Sequence, residues 1–140
     1  MAFVVEKISN EELLSKYPEK YDVLKNHFPG EERLGFSIGQ WIVDRDRDIY
    51  VFLMRCGEVR EPDGYLVLFW GKSYVLAKEQ HNSMCHWMEG GTIAEVLYIS
   101  EEIMVRIEEV EALFDDAFNG SGWFGSSDDA YVSLTFPNAT

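Results

Sequence analysis

Residues 41–78 read WIVDRDRDIYVFLMRCGEVREPDGYLVLFWGKSYVLAK, and this stretch decides the fold. Two apolar runs, Trp41-Ile42-Val43 and residues 49–54, flank Asp44-Arg45-Asp46-Arg47-Asp48. That pentapeptide has no apolar residue and reads as a charged hairpin turn. Glu61-Pro62-Asp63-Gly64 is a second turn signal, because Pro presets φ and Gly accepts a left-handed conformation. Residues 65–70 are apolar at every position, which predicts a strand covered on both faces at the centre of a sheet. Gly71-Lys72 then turns the chain into residues 73–78, a further strand. Turns this close together predict a meander of hairpins, with no alternation of strands and helices.

The flanks complete the picture. Phe3, Val5 and Ile8 flank charged residues in a short β-like run. Ser9 followed by Glu12 is a capping box, predicting a helix over residues 10–16 with Leu13 and Leu14 toward the core. Pro18 suits the first turn of a second short helix through Tyr21 and Leu24, which Phe28-Pro29-Gly30 stops. Phe36 and Ile38 lead into the first hairpin strand. Gly90-Gly91 precedes a strand over residues 93–99, after which Ser100 caps a long helix. Ile103, Met104, Ile107, Val110, Phe114, Ala117 and Phe118 recur at three- and four-residue steps and line one face of it. Asn119-Gly120 ends it, a Gly/Ser loop containing Trp123 and Phe124 follows, and residues 131–136 make a final strand. The expected architecture is α+β: one domain over residues 1–140, with an antiparallel, hairpin-rich sheet, short N-terminal helices and one long amphipathic C-terminal helix.

Composition supports a single core. With 46% hydrophobic and 14% aromatic residues, a chain of this size buries about 70% of its unfolded surface. Neither disulfide nor metal is needed for that. Residues 1–8 lack the basic start and apolar stretch of a signal peptide. Cys56 and Cys85 are therefore expected to be reduced thiols of a cytoplasmic protein. No apolar run is long enough to cross a membrane.

The candidate chemistry is thin. His81 and Cys85 would share a helical face, but no spacing supplies further zinc ligands. Cys85 and His86 are adjacent, so their side chains diverge and make a poor nucleophile-base pair. Asp115, Asn119 and Gly120 begin like a calcium loop, which fails at Ala117 and Ser126. Looser calcium binding by Asp115, Asp116, Asp128 and Asp129 has no motif behind it. No phosphate-cradling glycine loop or nucleophile elbow is present. No catalytic residue, cofactor or metal is expected.

Charge carries more information. The net charge is −13, and residues 101–140 hold nine acids against one base, Arg106. Glu101, Glu102, Glu108, Glu109, Glu111, Asp115 and Asp116 form the polar face of the long helix. Asp115 and Asp116 fall where the helix dipole disfavours anions, so stability alone would select a cation there. Trp123 and Phe124 follow at once, with Asp128 and Asp129 beyond them. An apolar anchor inside an acidic rim is the anatomy of a protein-binding hot spot. The expected partner is a basic protein, bound by a monomer or weak dimer. A second expectation, a small-molecule or enzymatic pocket, would use Trp41, Trp70, Tyr74 and Trp87.

In size, acidity and cytoplasmic character the chain resembles the small immunity proteins that bacteria hold against interbacterial nuclease toxins. The resemblance lies in overall character, without a matching motif. It implies an inhibitor that caps the cationic active site of a toxin domain.

A −13 chain without a basic stripe has no source of counterion-release energy. No binding to duplex or single-stranded nucleic acid is expected at physiological salt. Micromolar affinity in a gel-shift assay contradicts this.

Overall fold

The computed structural model describes residues 3–27, 38–56, 63–79, 91–120 and 131–136. Among these residues, seven strands form one sheet in strict chain order. They are β1 (Val4–Ser9), β2 (Ile38–Asp44), β3 (Ile49–Cys56), β4 (Asp63–Trp70), β5 (Ser73–Glu79), β6 (Gly91–Ile99) and β7 (Tyr131–Thr135). Helices α1 (Asn10–Lys16) and α2 (Pro18–His27) connect β1 to β2. Helices α3 (Glu101–Met104) and α4 (Ile107–Gly120) connect β6 to β7. The fold is α+β, and every strand pair is antiparallel except β6 with β7.

The period-two side-chain alternation of strands divides the core in two. Ile42, Val51, Leu66, Leu68, Val75 and Val96 face one side, where Ile103, Val110, Phe114 and Ala117 of the α3–α4 segment cover them. Trp41, Val43, Phe52, Val67, Phe69 and Leu76 face the other, beneath Leu13 of α1 and Leu24 of α2. Leu66, Val67, Leu68 and Phe69 are each 2% exposed or less, so β4 is buried on both faces. It is the middle strand, as its unbroken hydrophobicity predicts. The indole Nε1 of Trp41 is buried without a hydrogen-bond partner among the described residues.

The first helix starts as its capping box requires, with the Ser9 hydroxyl accepting from the Glu12 N–H at 3.0 Å. Leu14, expected in the core, instead stands 52% exposed while Leu13 alone points inward. Adjacent residues on a helix diverge by about 100°, so a helix lying on a sheet buries one of such a pair.

The expected long C-terminal helix is also corrected. It is interrupted at Val105–Arg106, where the Arg106 N–H donates to the Ile103 carbonyl at 3.0 Å in a tight i,i−3 turn. The apolar stripe continues across the interruption from Ile103 to Val110, which is why the sequence reads as one helix. Ser100 occupies the cap position without capping through its side chain. Its hydroxyl accepts from the Tyr74 N–H and its own N–H donates to the Tyr74 carbonyl, both at 3.0 Å, pinning this corner to β5. Helix α4 runs through Asn119 and Gly120, and the final strand stops at Thr135. Phe28-Pro29-Gly30, Phe36 and Glu61-Pro62 lie outside the described residues.

The charged hairpin is held by a buried acid. Asp44, 3% exposed, accepts through Oδ1 from the N–H groups of Asp46 (3.1 Å) and Arg47 (3.3 Å). Its Oδ2 meets Arg47 Nε at 2.7 Å. Asp48 adopts a positive φ of 57°, and its carbonyl accepts from the N–H of Gly71, itself at φ 61°, at 2.9 Å. The two turns at this end of the sheet therefore lock each other. Burial opposes ionisation of Asp44, but the Arg47 side chain, its backbone N–H and its charge carry the pKa below the usual aspartate value.

Asp44→Ala leaves two turn N–H groups and a guanidinium without their acceptor, and is expected to cost about 2–4 kcal/mol in urea unfolding. Since the folded pKa lies below the unfolded one, that stability is present above the unfolded value and lost as pH falls through the folded one. An Asp44→Ala melt that superimposes on wild type at neutral pH refutes the assignment.

Candidate functional site: the acidic surface of α3 and α4

Of the eleven residues expected to bind a partner, the seven described ones separate into distinct environments. Glu101, Glu108 and Asp116 are exposed and have no partner among the described residues. Glu102 is exposed and accepts from the Ser73 hydroxyl at 3.2 Å. Glu109 grips Arg106 with both oxygens, Nε to Oε1 at 3.0 Å and Nη2 to Oε2 at 2.9 Å. This pairing raises the Arg106 pKa and lowers that of Glu109, in each case mainly through the hydrogen bonds between them. The same guanidinium lies 4.0 Å from the ring centroid of Trp70. The sole base of the C-terminal 40 residues is thereby neutralised.

Glu111 and Asp115 are turned inward instead. Among the described residues β7 pairs only with β6, so its other side is an edge of the described sheet. There the Val132 N–H donates to Asp115 Oδ1 and the Leu134 N–H to Glu111 Oε2, each at 2.7 Å. The i,i+4 spacing of these acids puts both carboxylates on the α4 face beside the strand, matching its alternate N–H groups. Asp115 thus has a structural reason for sitting where the helix dipole disfavours it. Burial raises its pKa; the Val132 N–H lowers it, and the charges of Glu111 and Asp116 raise it further.

A feature absent from the sequence reading lies at the interruption itself. Met104 and Val105 stand 46% and 86% exposed. Glu101 and Glu108 come three residues before and four after Met104, and Glu102 and Glu109 stand likewise around Val105. An exposed apolar step bracketed in the chain by acids is thus present, and of its two residues Met104 is one expected in the buried helical stripe. Only the β-branched Val105 hinted at it, as a weak helix former. Trp123, Phe124, Asp128 and Asp129 lie outside the described residues.

The alternative aromatic pocket does not assemble as expected. Trp41 and Tyr74 face the α1–α2 side of the sheet, whereas Trp70 faces the α3–α4 side. Trp41 is fully buried and stacks on Phe52 at 4.6 Å, a core contact. Trp87, His81, Cys85 and His86 lie outside the described residues. Among the described residues no group of three His, Cys, Asp or Glu is placed to hold a metal ion. No helix among them is long and apolar enough to cross a membrane.

No family model matches the chain, and no match is found among curated proteins or among solved structures.

The geometry reverses the expectation that a cation at position 115 would favour the fold. Asp115→Lys and Asp115→Ala remove the acceptor of the Val132 N–H and are each expected to cost about 1–3 kcal/mol. Asp115→Asn keeps an oxygen acceptor and removes a charge that burial penalises, so its melting temperature at pH 7 is expected to equal or exceed wild type. With its folded pKa above the unfolded one, Asp115 stabilises fully at low pH and less as pH rises through the folded value. The gain of Asp115→Asn should therefore shrink on acidification. An Asp115→Lys protein as stable as wild type contradicts the edge-capping role.

Proposed function

We propose that this chain is an acidic protein-binding module that neutralises a basic partner, in the manner of an immunity protein inhibiting a nuclease toxin domain. The observation that carries the reading is the exposed Met104–Val105 step, bracketed in the chain by Glu101, Glu102 and Glu108, with the adjacent Arg106 already held by Glu109. Desolvating an apolar anchor supplies affinity, while surrounding anions steer a cationic surface inward and repel nucleic acid. Such a module competes with nucleic acid for a toxin's cationic cleft and performs no covalent chemistry. Glu109 contributes through its bond to Arg106, and Glu111 and Asp115 act by holding the α4–β7 scaffold. Asp116, Trp123, Phe124, Asp128 and Asp129 are proposed to contribute to partner binding as well, tested separately by Trp123→Ala.

The test is capture of a partner from native cells, followed by nuclease assay of that partner with and without stoichiometric chain. The expected result is a basic protein whose activity the chain abolishes. The double variant Met104→Ser, Val105→Ser should weaken the complex by about 2 kcal/mol through faster dissociation. Glu101→Lys and Glu108→Lys should slow association, and added salt should imitate them. A partner without basic character, or binding indifferent to both salt and these variants, overturns the proposal.

A further inference from the structure

On the opposite face of the sheet from the acidic surface, Lys20 of α2 reaches over three aromatic rings. Its Nζ lies 4.5 Å from the centroid of Tyr50 and 5.5 Å from those of Tyr17 and Phe69. Tyr50 and Phe69 are 5% and 2% exposed and make a buried floor. Tyr17, half-buried, forms a wall whose ring is tilted 59° to Tyr50 at 5.3 Å. This wall is fixed from behind. Arg45 holds Glu6 through Nε and Nη2, and its Nη1 donates to the hydroxyls of Tyr17 at 3.1 Å and Tyr50 at 3.4 Å.

The occupant fits the site incompletely. In a chain with 25 acids, the Lys20 ammonium has no ion pair or hydrogen bond among the described residues and is held by ring faces alone. A primary ammonium brings three N–H donors, and ring faces offer them no lone pair. A quaternary ammonium has no N–H to satisfy, spreads its charge over methyl groups and takes the full attraction of the ring quadrupoles. Two buried rings and one anchored wall are already in place, so such a ligand pays no ordering cost beyond rotating the Lys20 side chain into solvent.

We propose that Tyr17, Tyr50 and Phe69 form a binding cage for an N-methylated ammonium group, and that Lys20 is its resident plug. The proposal does not depend on the acidic surface, which belongs to the other side of the sheet. Both a free choline-type molecule and a trimethylated lysine side chain carry this chemistry.

The experiment is calorimetric titration of wild type, Lys20→Ala and Lys20→Gln at about 150 mM salt, which screens the diffuse attraction of a −13 chain for any cation. The probes are choline, Nε-trimethyllysine amide and 3,3-dimethylbutanol, the uncharged isostere of choline. Both Lys20 variants alter a helix surface position, and superimposable melts establish that they fold. Expected are binding of both cations at least about tenfold tighter than to wild type and no binding of the isostere. The tighter cation identifies the source. Adding Tyr17→Leu to Lys20→Ala should return affinity to the wild-type level without altering net charge. Folded Lys20 variants that bind neither cation, or that bind the isostere equally, overturn the proposal.

Discussion

Leu66, Val67, Leu68 and Phe69 are apolar toward both faces of the sheet, and this obliges the chain to provide two separate helical covers. Each such side chain loses about 1.5–3 kcal/mol of burial energy if its face is left to water. Both covers come from the connections at the sheet's two ends. Helices α1 and α2 sit between β1 and β2, and α3 with α4 between β6 and β7. The two covers differ in how they return the chain. Across α1 and α2 it reverses, so β2 runs antiparallel to β1. Across α3 and α4 it comes back in its starting direction, so β7 runs parallel to β6. Among the described residues that leaves β7 at the sheet's edge, which Glu111 and Asp115 close with side-chain acceptors. Such an edge is otherwise a template for unwanted strand pairing.

This chain of consequences sets what the sequence discloses. The hairpin turns at residues 45–48 and 71–72, the central strand and the Ser9 cap are local signals, and each is found where residues within a few positions of one another place it. The interruption at Val105–Arg106 is not local. It involves Arg106 lying over Trp70, more than thirty residues away in the chain, while the apolar stripe keeps its phase across the break. The parallel return of β7 is equally hidden, because a strand carries no mark of its partner's direction. The cage around Lys20 joins the link between α1 and α2, α2 itself, β3 and β4, and no sequence window contains it.

The acids illustrate the same point chemically. By sequence, Glu101, Glu108, Glu111 and Asp115 are equivalent members of one polar face. In the fold, two face solvent and two accept backbone N–H groups at 2.7 Å. Charge on α4 is therefore partly structural. A reading based on net charge alone counts such residues as surface, whereas they hold the element on which the outward acids are displayed.

The division of these acids between scaffold and outer surface is the claim on which both the fold and the proposed binding surface rest. Amide hydrogen exchange on the intact chain tests it most directly. The Val132 and Leu134 amides lie on the edge of the sheet, yet should be protected to the same degree as the paired amides of the β6–β7 ladder. In Glu111→Ala and Asp115→Ala proteins that protection should fall at Leu134 and Val132 respectively, with β4 unaffected. Exchange of both amides in the unaltered chain at the rate of an unpaired edge would contradict the account.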